Sequence, residues 1–272
     1  MGGPADAFAR VDSRAALERL LQLVRVRGLP LLWLGGGFNL LVRDGGVRGV
    51  VARLAGLREL ALLPDGRVRA EAGASHTSVT RFCAENGRAG LEFAVGIPGT
   101  VGGWIAMNAG TREREMKDVV TEVELFDPAR GFATVAASAL RFAYRRAELP
   151  PDAVVVSATF ATAAEAPEKI RERQQQGLAR RRATQPVDQP SCGSVFVNPP
   201  GDFAGRLIEA AGLKGARAGG AMISDVHANF IVNTGGATAA DVLALIERAR
   251  EAVLARSGIA LETEVKIVGE PA

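Results

Sequence analysis

Apolar and polar positions along the first half of the chain follow short helical and strand periods in turn. An apolar stripe at helical spacing begins after Ser13, a residue that can cap a helix, and Gly28 can end that helix. The stripe consists of Leu17, Leu20, Leu21 and Val24. Residues 78–86 predict a second, shorter helix that ends at Gly87. Apolar runs predict strands at residues 31–34, 47–54, 68–72, 119–126 and 154–160.

The composition changes at residues 161–167, which are rich in Ala, Glu and Pro and are typical of a linker. We therefore predict two domains, residues 1–163 and residues 164–272. The second domain is predicted to begin with a basic helix that Pro167 and Glu168 open.

The pattern near the C-terminus predicts one more helix and one more strand. Thr238 with Asp241 three residues later forms a capping box, and Gly258 supplies the stop. Val242, Ile246, Ala249 and Val253 share the apolar face. A last strand is predicted over residues 262–268.

Composition narrows the class of protein. Of the 272 residues, 47% are hydrophobic, and no apolar run approaches the ~18 residues of a membrane span. The start of the chain carries neither the basic region nor the apolar stretch of a signal peptide. A net charge of +3 and an aromatic content of 5% offer little to a nucleic acid. We therefore expect a cytoplasmic protein that binds neither membrane nor nucleic acid.

Cysteine and histidine are too few and too scattered to predict a metal site. Cys83 and Cys192 lie far apart, and neither they nor His76 and His227 fall at ligand spacing. We expect no metal, and His227 is interpreted as a structural hydrogen-bonding residue.

Two glycine-rich segments carry the strongest chemical signal. One is Gly35-Gly36-Gly37-Phe38-Asn39-Leu40, which leaves a predicted strand. The other is Gly96-Ile97-Pro98-Gly99-Thr100-Val101-Gly102-Gly103, followed by Asn108-Ala109-Gly110 and predicted to be a loop. Glycine permits a close backbone approach, and successive amides in such turns form nests for anions. A cluster of structural turns is the alternative for each segment.

The first glycine segment fails the common dinucleotide motifs. A Rossmann GxGxxG would need glycine where Leu40 stands, and the chain contains no GxxxxGK[ST] phosphate loop. Two separate glycine segments therefore suggest a flavin dinucleotide that is bound outside a Rossmann fold.

Four further positions could carry chemistry. Ser194 does not lie in a GxSxG elbow, so it is a candidate proton donor or ligand contact, or else a turn serine. Arg145 follows Tyr144 and could clamp a carboxylate, although a structural role is equally open. Glu262 and Glu264 would share one side of the last strand, either toward a cleft or toward solvent.

Taken together, these segments resemble the UDP-N-acetylenolpyruvoylglucosamine reductase family over nearly the whole chain. The matching motifs are Gly35-Gly36-Gly37-Phe38-Asn39-Leu40-Leu41, residues 96–110, Tyr144-Arg145, Gln185-Pro186, Gly193-Ser194-Val195-Phe196, Ala211-Gly212-Leu213-Lys214-Gly215, His227-Ala228-Asn229-Phe230 and Leu261-Glu262-Thr263-Glu264-Val265. They occur in the order and spacing of the family, and the chain looks like its shorter subtype.

The resemblance implies a fold and an activity. The expected fold class is α+β: a two-part FAD-binding domain of the vanillyl-alcohol-oxidase type, followed by an α+β substrate-binding domain. The implied reaction is the NADPH-dependent, FAD-mediated reduction of UDP-N-acetylglucosamine enolpyruvate to UDP-N-acetylmuramate for peptidoglycan. FAD would be bound non-covalently, and we expect a monomer that acts on this small molecule.

The resemblance also assigns residues. Arg145 and Glu264 would polarise the substrate carboxylate, with Glu264 in its protonated form, and Ser194 would protonate the neighbouring carbon. Both glycine segments would bind the cofactor, and Tyr144 and Asn198 would bind substrate.

The chain departs from the family pattern in four places. Phe38 replaces a usual serine, Ala147 replaces a frequent serine, and Val197 replaces a frequent lysine. The family also carries a segment before Gly2, so we expect that translation starts upstream of Met1. Two alternatives remain: an oxidase of the same superfamily, and an inactive module that binds FAD or a UDP-sugar.

Overall fold

The computed structural model describes residues 2–272, which form six α-helices and eighteen short strands. The helices are α1 Arg14–Arg27, α2 His76–Glu85, α3 Val101–Ala106, α4 Pro167–Thr184, α5 Ala204–Ala210 and α6 Ala239–Ser257. The strands are β1 Ala5–Arg10, β2 Leu31–Trp33, β3 Leu40–Val42, β4 Val47–Arg53, β5 Leu60–Leu62, β6 Val68–Glu71, β7 Arg88–Ala89, β8 Val120–Asp127, β9 Gly131–Ala136, β10 Arg141–Ala143, β11 Arg146–Glu148, β12 Val154–Phe160, β13 Ala163–Ala164, β14 Ser191–Ser194, β15 Arg217–Ala218, β16 Ala221–Ile223, β17 Phe230–Asn233 and β18 Lys266–Val268. Mixed helices and mostly antiparallel sheets confirm the predicted α+β class.

The ends of α1 and α6 confirm the predicted caps. The Ser13 hydroxyl accepts a hydrogen bond from the first turn of α1, and Gly28 ends this helix in the left-handed region at φ 60°. Thr238 and Asp241 form a reciprocal capping box at the start of α6, and Gly258 ends it at φ 72°. Each device satisfies backbone groups that a helix end leaves without an intrahelical partner.

The chain folds into two compact units that do not follow the predicted linear division. The larger unit comprises Phe8–Gly36 and Val50–Arg180, and the smaller unit comprises residues 2–7, Gly37–Gly49 and Arg181–Ala272. The segment that contains β3 belongs with the C-terminal part because β3 pairs in parallel with β18.

The beginning of α4 belongs to the larger unit because Ile170 packs with Ala84 and Ala89 in a small buried cluster. The domain boundary near residue 163 stays a prediction. Met1, which the predicted first domain includes, lies outside the described residues.

The larger unit is built on a five-stranded antiparallel sheet with the order β5-β6-β12-β8-β9. Every residue of the central strand β12 is buried, as its continuous apolar run predicts. The short helix α3 packs against this strand and buries Trp104 and Ile105 in the same core. The core therefore fixes the start of α3, which lies in the second glycine segment.

The smaller unit contains a four-stranded antiparallel sheet with the order β14-β17-β16-β15. Helix α6 packs against β15 and β16, and its four predicted face residues are all buried. None of the helices in residues 2–272 combines the length and the apolar character that crossing a membrane would take.

Two predicted elements are wrong in extent. The last strand begins at Lys266, because Val195 O accepts from the amides of both Glu264 and Val265 and this irregularity interrupts the period of two. The second glycine segment is not all loop: residues from Val101 onward are helical, because burial of Trp104 outweighs the low helix propensity of Gly102 and Gly103.

Candidate functional site

The first glycine segment begins in the larger unit as a turn after β2. Gly35 and Gly36 donate no amide hydrogen bond to an acceptor within residues 2–272. A Cβ at Gly35 would lie 3.0 Å from Thr100 Oγ1 and 3.8 Å from Gly103 Cα. The two glycine segments therefore meet in this unit, as a cofactor shared by both of them requires.

The loop before α3 is held in place by the larger unit itself. Gly96 and Gly99 have φ of 71° and 135°, conformations that favour glycine. The Trp104 indole donates to Ile97 O at 3.2 Å, and this bond fixes the loop over the buried ring.

The start of α3 uses part of its backbone internally. The amides of Val101 and Gly102 donate to Ala74 O and Ala72 O at 3.0 and 2.9 Å. A Cβ at Gly102 would lie 3.1 Å from Ala72 Cβ, so glycine here serves close packing. Thr100 precedes the helix, but its hydroxyl does not cap it.

Asn108 follows α3 in the left-handed region at φ 42° and is fully buried. Its Nδ2 donates to Glu115 Oε2 at 2.9 Å and to Ala143 O at 3.0 Å, and its Oδ1 accepts from the Lys117 amide at 2.9 Å. The side chain of Asn108, a residue predicted to bind cofactor, is therefore engaged with protein on both sides. Ala109 and Gly110 continue this segment, and Gly110 forms an isolated antiparallel bridge with Glu115.

Arg145 lies in a two-residue turn between β10 and β11, at φ 58°. Its Nη1 donates to Glu115 Oε1 at 3.1 Å, and its Nη2 donates to Gly110 O at 3.2 Å. Its guanidinium stacks 4.5 Å from the ring centroid of Tyr144, whose side chain is half-exposed. A charged, planar group held in this way suits recognition of a carboxylate.

In the smaller unit, Ser194 ends β14, and this strand pairs with β17. A Cβ at Gly193 would lie 3.5 Å from Phe38 O, so β14 runs beside the second half of the first glycine segment. Gly37 turns at φ 75° before it, the Phe38 side chain is exposed, and Leu40 enters β3.

Glu264 is placed next to Ser194 through backbone contacts within the smaller unit. The Glu264 amide donates to Val195 O at 2.8 Å, and Glu264 O accepts from Asn39 Nδ2 at 3.1 Å. Glu264 is half-buried whereas Glu262 is exposed. Two of the three predicted catalytic residues, Ser194 and Glu264, thus lie on adjoining backbone segments beside Asn39.

Sequence reasoning missed two residues that organise these groups. One is Glu115, which contacts Arg145. The other is Asn229, which is 3% exposed and forms a reciprocal pair with the Phe196 backbone: Nδ2 to Phe196 O at 2.8 Å and Phe196 N to Oδ1 at 2.9 Å. Glu115 lies in none of the sequence motifs, whereas Asn229 lies in the motif His227-Ala228-Asn229-Phe230 but was given no role. Asn198, the predicted substrate contact, accepts from the Ala204 amide at 3.1 Å before α5.

The remaining titratable groups have ordinary structural explanations. Burial raises the pKa of the Cys83 thiol to about 12 and that of Cys192 to about 11, so neither is a reactive thiolate near neutral pH. Burial lowers the pKa of His227, whose Nδ1 accepts from the Asn229 amide at 3.2 Å. Within residues 2–272, no cluster of His, Cys, Asp and Glu could hold a metal ion.

The chain is similar to characterised families over both parts. A model described as the FAD binding domain matches residues 5–135, and one described as UDP-N-acetylenolpyruvoylglucosamine reductase, C-terminal domain, matches residues 185–268. Its sequence is 51% identical to the UDP-N-acetylenolpyruvoylglucosamine reductase of Anaeromyxobacter sp. strain K over 99% of this chain and 82% of that protein. Identity to the Geobacter sulfurreducens reductase is 47%, over 99% of this chain and 90% of that protein.

A solved structure is similar as well. The crystal structure of the UDP-N-acetylenolpyruvylglucosamine reductase from Thermus caldophilus is 38% identical and has a TM-score of 0.83. The match covers 95% of this chain and 90% of that one. Sequence and fold thus agree over nearly the whole length.

Proposed function

The chain belongs to the UDP-N-acetylenolpyruvoylglucosamine reductase family, and from this premise we propose that Arg145, Glu264 and Ser194 carry its reaction. It is an FAD-dependent oxidoreductase that reduces UDP-N-acetylglucosamine enolpyruvate to UDP-N-acetylmuramate in the synthesis of peptidoglycan precursors. Its fold class is that of an FAD-binding domain followed by the C-terminal domain of this family.

The cofactor fits the glycine segments of this chain. Among residues 2–272, the amides of Gly35 and Gly36 have no hydrogen-bond acceptor, and the turn that carries them lies against Thr100 and Gly103. A dinucleotide pyrophosphate needs such donors. Bound FAD, once reduced by NADPH, supplies the hydride for the enolpyruvyl double bond.

We assign cofactor contacts to residues of both glycine segments. The assigned residues are Gly35, Gly36, Gly37, Phe38, Asn39, Leu40, Gly96, Ile97, Pro98, Gly99, Thr100, Gly102, Gly103, Asn108, Ala109 and Gly110. For Asn108 the assignment rests on its place in the segment alone, because its side chain is engaged with Glu115 and Ala143 and its backbone amide donates to Ile105 O at 3.0 Å.

Each proposed catalytic residue supplies what hydride addition to an unsaturated carboxylate demands. Negative charge develops on the carboxylate, where a fixed positive charge stabilises it most. Arg145 offers that charge, and Glu264 in its acid form donates a hydrogen bond to the same group. Ser194 gives its proton to the neighbouring carbon, which is strongly basic at that stage.

The single observation that best supports this assignment is the pairing of Glu264 N with Val195 O, directly after Ser194. It holds Ser194 and Glu264 on adjoining backbone segments, which supports roles in protonation and in carboxylate polarisation at neighbouring atoms. Tyr144 and Asn198 are assigned to substrate. The proposal places the enzyme in the cytoplasm as a monomer without membrane or nucleic-acid partners.

The test separates the two half-reactions under anaerobic conditions. In Ser194→Ala, bleaching of the flavin by NADPH should keep its rate, and return of the yellow colour with substrate should slow by about 10²–10⁴-fold because the proton donor is lost. Ser191→Ala is the matched control, since Ser191 begins the same strand and its hydroxyl accepts only a 3.4 Å bond from Gly193.

Equal loss in both half-reactions would contradict the role of Ser194. A wild-type flavin that ignores the substrate but reoxidises rapidly in air would identify an oxidase of the same superfamily. Binding of FAD without any turnover would identify the inactive module.

A further inference from the structure

We propose that Glu115 is a positioning residue that sets the orientation of the Arg145 guanidinium in the substrate-reducing step. The inference rests on the role of Arg145 proposed above. It adds a residue that neither the sequence motifs nor the comparisons assign.

Each carboxylate oxygen of Glu115 accepts a hydrogen bond from a different side chain. Its Oε1 accepts from Arg145 Nη1 at 3.1 Å, and its Oε2 accepts from Asn108 Nδ2 at 2.9 Å. The two charged side chains are nearly buried, with 16% of Arg145 and 12% of Glu115 exposed. A pair this sheltered from water is screened little and holds its geometry, unlike a surface ion pair.

The backbone of Arg145 has an uncommon conformation that neighbouring contacts must stabilise. Arg145 occupies the left-handed region, which L-residues other than Asn, Asp and Gly seldom adopt, in a turn between strands of three residues each. Asn108 ties this hairpin to the same carboxylate, because its Nδ2 donates to Ala143 O as well as to Glu115. Glu115 therefore holds the guanidinium of Arg145 directly, and it holds the backbone of the hairpin through Asn108.

Glu115 is itself held from three directions. It forms the capping box of the following 3₁₀ turn with Asp118, and it forms the bridge with Gly110. Lys117 Nζ lies 3.0 Å from Oε2, and this hydrogen bond raises the pKa of Lys117. The Glu115 carboxylate thus contacts two cations, Arg145 and Lys117, while the Asp118 carboxylate accepts from the Glu115 amide at 2.8 Å.

The first experiment compares Glu115→Gln with the wild-type holoenzyme. Glutamine has one carbonyl oxygen and an NH₂, so it cannot accept from both Arg145 and Asn108. Reduction of the flavin by NADPH should be unchanged, whereas reoxidation by substrate should slow by about 100-fold, the cost of a misplacement of about 1 Å. Glu115→Asp keeps the charge but withdraws it by one methylene, so it should slow the same step less.

Two controls separate positioning from folding. Glu113→Gln removes a carboxylate two residues away that pairs at the surface with Arg180, and it should leave both half-reactions unchanged. Calorimetric titration of the oxidised enzyme with substrate should show weakened binding for Glu115→Gln and unchanged binding for Glu113→Gln. Unchanged substrate binding in Glu115→Gln, or equal slowing of both half-reactions, would overturn the inference in favour of a purely structural role.

A double-mutant cycle distinguishes this inference from the proposed function. If Glu115 acts through Arg145, Glu115→Gln should add no further slowing in an Arg145→Ala background. Multiplicative effects would overturn the inference. A normal reoxidation rate in Arg145→Ala alone would instead reject the role of Arg145, whereas a slow Arg145→Ala beside a normal Glu115→Gln would reject only the positioning role.

Discussion

Replacing Asn229 with alanine should be among the most destabilising single changes in the smaller unit. The Asn229 side chain forms hydrogen bonds of 2.8 and 2.9 Å with the backbone carbonyl and amide of Phe196, a residue only 1% exposed. Alanine leaves the Phe196 amide and carbonyl buried without these partners. Each unsatisfied buried group costs about 1–3 kcal/mol. We therefore expect the free energy of unfolding to fall by about 4 kcal/mol in total.

The assay is urea unfolding followed by far-ultraviolet circular dichroism, because both tryptophans, Trp33 and Trp104, lie in the larger unit. Asn86→Ala is the matched control, because Asn86 is exposed and its side chain makes a single bond to Phe82 O at 2.9 Å. That control should stay within about 0.5 kcal/mol of the wild type. A loss below about 1 kcal/mol in Asn229→Ala would refute the reasoning, since it would fall short of even one unsatisfied group.

Two further predictions concern the larger unit. Burial would raise the pKa of Glu124, but the hydrogen bonds from Arg14, Ser157 and Arg69 outweigh it and hold the pKa below its ordinary value of 4.5. The ionised carboxylate therefore stabilises the folded state above pH 4.5. The difference in unfolding free energy between wild type and Glu124→Gln, measured in urea, should shrink as the pH falls below 4.5. A difference that stays constant from about pH 3 to 7 would contradict this. In Gly110→Ala the new Cβ would clash with the carbonyl oxygen of Arg114. The unfolding free energy should therefore fall by about 1–3 kcal/mol, measured as a lower thermal midpoint. An unchanged midpoint would show that the segment moves aside without cost.

The sequence predicted those parts of the fold that depend on neighbouring residues. The caps at Ser13 and Thr238 and the buried strand β12 follow from short-range spacing, and the structure confirms all three. The hairpin that carries Arg145 was missed because its strands have three residues each, too few to display a period.

The candidate site was predicted as a set of residues but not as an arrangement. That Gly35 meets Thr100, and that Asn39 bonds to Glu264 O, depends on contacts between distant segments, which no local pattern encodes. Glu115 was missed for the same reason, since a single glutamate in a polar segment is typical of a solvated surface. The assignment of Asn108 to the cofactor came from a motif, and a motif does not say which way a side chain faces.

The parallel pairing of β3 with β18 has a consequence for the newborn chain on the ribosome. Leu40–Val42 are translated long before their partners Lys266–Val268, because the two strands lie far apart along the chain. Closing so long a loop is a slow, late event in folding. The second half of the first glycine segment must therefore wait until β18 has been translated. A chain released before Glu264 was added would lack both that residue and β18, and its Leu40–Val42 edge would be open to association with other chains.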